Sequence, residues 1–185
     1  MSLRELGFAD AESEEAREVA AAIRERRGAG GLLNLDRVLL HNPGLAAGWS
    51  HYMGQVRGGC RGVPGDLREL LICHVAVLNG AEYEWQQHAG EYAREGGDRG
   101  KLEALRAMGS AEPAEEQPPF LPLELLALRL CHGLTCRATA EPRLRSALLE
   151  QLGERGYVEL AHIVCSYNMV SRFLLATGVP LEGSS

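Results

Sequence analysis

The ten residues NGAEYEWQQH, Asn79 to His88, hold two carboxylates, a tyrosine, a tryptophan and a histidine, directly after the apolar run LLICHVAVL. On a helix, Ala81, Glu84 and His88 fall at i, i+3 and i+7 and so share one face, with Trp85 beside them. Glu69 lies on the preceding stretch, across the tight turn expected at Asn79-Gly80. If the two segments pack antiparallel, Glu69 can approach Ala81 and His88. A carboxylate against an imidazole fixes its tautomer and favours the protonated ring, which makes a proton relay. Two half-buried carboxylates would split their pKa values, one staying ionised and the other able to hold a proton. The same spacing also describes an ordinary i, i+4 surface pair worth ~0.2–0.5 kcal/mol. Tyr83 and Trp85 read equally well as core or interface aromatics.

The elements that must position these groups read as helices throughout. Ser13 suits an N-cap for a first helix with Glu14, Glu15 and Glu18 early and Arg24, Arg26 and Arg27 late, a polarity that complements the helix dipole. Its apolar face is Ala16, Val19, Ala20 and Ile23, and the GAGG at 28–31 stops it. Two helical pieces follow, broken before Pro43. Pro64 opens the helix that carries Glu69, and Asn79-Gly80 ends it. The next helix runs from about Glu82 to Glu95 and stops at Gly96-Gly97, and a shorter one covers Lys101 to Met108. The proline- and acid-rich GSAEPAEEQPPFLP reads as a crossing inside one domain. Pro122 and Pro142 start two further helices. The last helix, GYVELAHIVCSYNMVSRFLLATG, is apolar around most of its circumference, which places it centrally or at a subunit interface. No alternating strand pattern stands out.

The chain has 185 residues, 45% of them hydrophobic and 24% charged, which suits one globular domain. A net charge of −6 argues against nucleic acid and against an anionic membrane surface. No apolar run reaches the ~18 residues of a spanning helix. The acidic N-terminal stretch has neither the basic and apolar regions of a signal peptide nor the look of a transit peptide. These features predict a soluble cytoplasmic protein. The five cysteines, Cys60, Cys73, Cys131, Cys136 and Cys165, include no CxxC pair. Cys73, Cys131 and Cys165 lie inside apolar runs, and the cysteines read as reduced, buried small hydrophobes. Their spacing does not supply the four converging ligands of a structural zinc site, and no metal is expected.

The stretch LRELLICHVAVLNGAEYEWQQHAGEYAREGG resembles the core of the carboxymuconolactone decarboxylase family, which has the alkylhydroperoxidase D-like fold. The likeness covers about Pro64 to Met108 well and the flanking helices loosely. The peroxidase branch of that family carries a glutamate, eleven residues, CxxC, three residues and a histidine. Here Glu69 takes the glutamate position and His88 the histidine position, while the cysteine positions fall on Ala81 and Glu84. The frame is kept without the redox pair. Peroxidase chemistry needs a low-pKa thiolate and a resolving thiol, so the resemblance implies the decarboxylase-like branch and no thiol peroxidase activity.

That branch implies an all-α, alkylhydroperoxidase D-like helical bundle, with residues 1–30 as an N-terminal helical extension and 31–185 as the family-like domain. It implies cofactor-independent decarboxylation of a small carboxylated lactone or related acid. Glu69, Glu84 and His88 would be catalytic, with His88 the proton donor, Glu69 its orienting partner and Glu84 a hydrogen-bond donor to the developing oxyanion. Arg68, with Arg61 nearby, would hold substrate carboxylates, and Tyr83 and Trp85 would wall the pocket. Members of the family usually form homo-oligomers. Loss of the thiols also suits an alternative, a non-catalytic oligomeric protein that binds a small molecule on the same fold.

Overall fold

The computed structural model describes residues 6–9, 13–28 and 31–183, so part of the expected 1–30 extension lies outside the described residues. Among the described residues there are eight helices and no strand. They form two compact units, one comprising the residues before Val56 together with those from Phe173 on, the other Val56–Arg172.

In the first unit, α1 (Glu14–Arg27) begins as its sequence dictates, with the Ser13 hydroxyl accepting the Ala16 N–H at 3.0 Å. Ala16, Ala20 and Ile23 are buried. Arg27 pairs with Asp36 of α2 (Asn34–Leu39), and the same carboxylate accepts the Leu33 N–H at the start of that helix. Pro43 opens α3 (Pro43–Gly58). Asn34 donates to the carbonyls of Pro180 and Leu181, which ties the last described residues to α2.

The second unit carries the predicted site. α4 (Gly65–Asn79) is buried along nearly its whole length, from Leu67 to Ala76. Gly80 ends it in the left-handed conformation, φ 68° and ψ 28°, and the Ala81 N–H donates back to the Ala76 carbonyl at 2.8 Å. A side chain with a Cβ resists that conformation, and glycine accepts it. The chain therefore folds back at once into α5 (Glu82–Arg94), which packs along α4. α6 (Arg99–Met108) starts two residues before the expected Lys101, because the Asp98 side chain caps it by accepting the Gly100 N–H. α7 (Pro122–Arg137) lies against α4. α8 (Pro142–Thr177) joins the two helices expected from Pro142 onward, with a break at Gly153, φ 68° and ψ 175°.

Polar side chains fix these helices to one another. Asn168 of α8 accepts from Asn79 at the end of α4 and donates to Thr135 of α7, at 3.1 and 2.9 Å. Leu160, Ile163, Val164 and Tyr167 of α8 are buried, in keeping with a central helix. The opposite face leaves Val158 63% and Met169 41% exposed, and Cys165 lies between them on the surface. Cys165 thus departs from its apolar surroundings in sequence, since helical periodicity turns it outward while Val164 points in. Cys73 and Cys131 are buried as expected.

Candidate active site

The tight turn at Gly80 brings residues nineteen apart into contact, and the His88 ring meets the Glu69 carboxylate at 2.6 Å, Nδ1 to Oε2. Both side chains are buried. Glu69 accepts a second bond from Arg68 Nε at 3.0 Å, and Arg68 reaches on to Glu95 at 2.9 Å. Burial pushes the Glu69 carboxyl up, but the hydrogen bonds and charges of His88 and Arg68 outweigh it and hold the group below the usual carboxylate range. Ionised, Glu69 can only accept, so the bonding proton sits on His88 Nδ1. That leaves Nε2 outside this bond. Tyr167 meets the imidazole edge to face, with ring centroids 4.9 Å apart and planes at 85°.

Glu84 sits on the same helix but turns elsewhere. Its Oε1 accepts from Ser171 Oγ at 2.9 Å, and its Oε2 is buried with no partner. Burial raises its carboxyl well above the usual range, against a smaller lowering by Ser171. The two carboxylates are therefore pushed in opposite directions, one towards the charged form and one towards the neutral acid.

Cys73 lies one turn along α4 from Glu69, fully buried, and burial pushes its thiol far up, with the charge of Glu69 adding to the effect. It has the opposite of the environment that makes a reactive thiolate.

The remaining candidates divide. Arg68 is 13% exposed and already paired with two carboxylates. Tyr83 is buried in the packed interior. Trp85 is half-buried and walls a cleft of about 180 Å³, together with Ala76, Val77, Gly80, Ala81, Glu82 and Arg106. Glu69, Glu84 and His88 are not in that wall. The structure thus brings Glu69, His88 and Arg68 together, gives Glu84 a separate partner, and sets Trp85 on a neighbouring cleft.

Sequence reasoning missed Ser171, Tyr167 and Arg106. Arg106 had a legible signal, since Glu82 and Trp85 sit one turn apart on one face and invite a cation from outside. Ser171 and Tyr167 come from α8 and leave no local trace. Among the described residues, no cluster of three or more histidine, cysteine or acidic side chains could hold a metal ion. Among the described residues, no helix is long and apolar enough to cross a membrane.

An all-helical bundle with this hairpin has the alkylhydroperoxidase D-like fold. No protein-family model and no curated protein matches the chain. Solved structures do. An uncharacterized peroxidase-related protein from Silicibacter sp. TM1040 superposes with a TM-score of 0.77 at 19% identity, over 97% of this chain and 91% of that one. A cysteine-to-alanine variant of the debrominase Bmp8, in complex with 2,3,4-tribromopyrrole, gives 0.76 at 17%, over 99% and 95%. At such identities the likeness speaks for the fold alone.

Proposed function

We propose that this protein is a cofactor-independent lyase of the carboxymuconolactone decarboxylase type, acting on a small carboxylated lactone or related acid. The observation that carries the reading is the 2.6 Å bond between His88 Nδ1 and the buried Glu69 carboxylate, which readies Nε2 for proton transfer. In the reaction, the bond to the departing CO₂ breaks and its electron pair runs through the adjacent C=C into the lactone carbonyl. When His88 carries a proton on Nε2 as well as on Nδ1, it gives the Nε2 proton to the carbon at the far end of that system, and water restores it. A neutral Glu84 suits the developing oxyanion as a hydrogen-bond donor, where an ionised one would repel it. Arg68 would hold a substrate carboxylate by exchanging it for Glu95. Tyr83 would shelter the site from water, while Trp85, expected to do the same, lies on the neighbouring cleft. No cofactor or metal enters the scheme. Ala81 and Glu84 at the two thiol positions, with Cys73 sealed in the core, support the absence of thiol peroxidase activity.

Turnover of 4-carboxymuconolactone by the wild type and His88→Ala tests this. The variant should lose about 10²–10⁴-fold in kcat. Activity that survives His88→Ala undiminished removes the dyad from the chemistry.

One observation favours a second reading, a non-catalytic small-molecule-binding protein: the ligand-sized cleft is walled by Trp85 and Arg106 and not by the dyad. Saturable binding with no product from any carboxylated lactone would support it. Self-association is part of both readings, through the outward stripe of Val158, Cys165 and Met169, and sedimentation of the wild type against Met169→Glu tests it. Cytoplasmic residence is proposed from the five unpaired cysteines.

A further inference from the structure

The cleft beside the dyad has a chemistry of its own. Ala76, Val77, Gly80 and Ala81 make an apolar ledge at the α4–α5 turn, and the Trp85 indole rises from it. The Arg106 guanidinium lies over that ring, 4.1 Å from its centroid, and bonds both oxygens of Glu82 at 3.0 and 3.1 Å. Both members of that ion pair are about half exposed, 50% and 51%, so water screens it and an external anion can take Glu82's place. The contact with the Trp85 face holds Arg106 in place while its N–H groups change partner.

We infer that this cleft is a binding site for a small planar carboxylate, whose acid group displaces Glu82 on Arg106 while its unsaturated body rests on the ledge beside Trp85. Arg106 Nη2 donates to both Glu82 oxygens, and the guanidinium can donate to another carboxylate in the same way. The apolar ledge selects a ring or conjugated chain over a short aliphatic acid. A volume of about 180 Å³ is below the roughly 300–1,000 Å³ of drug-sized sites, so the ligand is small. Glu82 acts as an internal competitor that sets the affinity. The site stands apart from the proposed lyase chemistry, because neither Glu69 nor His88 belongs to its wall.

The test uses Trp85 fluorescence in a Trp49→Phe background, which removes the other indole of the chain, with benzoate as probe and benzamide as its uncharged isostere. Benzoate should change the emission saturably, and benzamide should not. Arg106→Gln should weaken benzoate by about tenfold or more, Arg106→Lys by less, and Glu82→Gln should tighten it. Arg106 lies on the surface, and circular dichroism confirms that each variant is folded. Equal binding of benzamide, an unchanged affinity in Arg106→Gln, or no saturation by benzoate overturns the site. His88→Ala in the same background should bind benzoate normally, so loss of turnover and loss of this site are read separately.

Discussion

The Ser171 hydroxyl donates to Glu84 Oε1 across 2.9 Å, and the other Glu84 oxygen is buried without a partner. A carboxylate so placed loses water's solvation and recovers one hydrogen bond, so the neutral acid is favoured. Its folded-state pKa is raised above the ordinary 4.5. The stability this group contributes is then fully present below that value and lost as pH rises through the folded pKa. Glu84→Gln, which cannot ionise, should flatten the stability profile above pH 4.5 relative to wild type. Urea midpoints measured across that range check it, and parallel profiles would show that Glu84 is charged in the fold.

Glu69 has the opposite environment. Glu69→Gln keeps the size and an acceptor oxygen but removes the charge that holds the proton on His88 Nδ1. Under the proposed chemistry, kcat should fall about 10²-fold with little change in KM, and the pH–rate profile should move. Steady-state kinetics over pH separate this from a packing defect, which leaves the profile in place.

His74 lies inside α4 with neither ring nitrogen bonded, and burial, helped by the nearby charge of His132, pulls its pKa from 6.5 down to about 3. The folded form binds its proton less readily than the unfolded chain does. The stability held by the neutral ring is therefore present above about pH 6.5 and lost as pH falls towards 3. His74→Leu removes both the orphaned nitrogens and this loss, so its acid-unfolding midpoint should drop below that of the wild type. A midpoint that stays put would show that other groups govern acid unfolding.

Gly97 sits under the Tyr92 ring, where a Cβ would come within 2.3 to 2.4 Å of ring carbons. Tyr92 is 1% exposed, and its hydroxyl accepts the Asp98 N–H at 3.2 Å, so the ring has little freedom to yield. Gly97→Ala should cost about 1–3 kcal/mol through overpacking alone. Thermal unfolding should show a lower Tm, by roughly 2–4 °C per kcal/mol for a chain of this size.

The punctuation of the fold was legible in sequence wherever it is local. Ser13, Pro43, Pro64 and Gly80 act within one turn of themselves, and each begins or ends a helix where its chemistry requires. The Glu69–His88 pairing was legible for a related reason, since a tight turn between two amphipathic helices fixes which residues face each other. What could not be read depends on long-range packing. Ser171 reaches Glu84 from eighty-seven positions away, and Arg68 is taken up by Glu95 across twenty-seven. The lack of a hydrogen-bond partner for either His74 nitrogen depends on what packs around it in three dimensions, and no spacing encodes it. Cys165 misled because an apolar run in sequence conceals which face of a helix each member occupies.

The reversal at Gly80 has one more effect. Acid and imidazole ride on a single uninterrupted hairpin, so mutations that drift through the distant helices can reshape the surrounding walls while the donor–acceptor spacing is inherited unchanged. An insertion or deletion inside the hairpin, by contrast, would rotate one partner about 100° around its axis and break the pair in a single step.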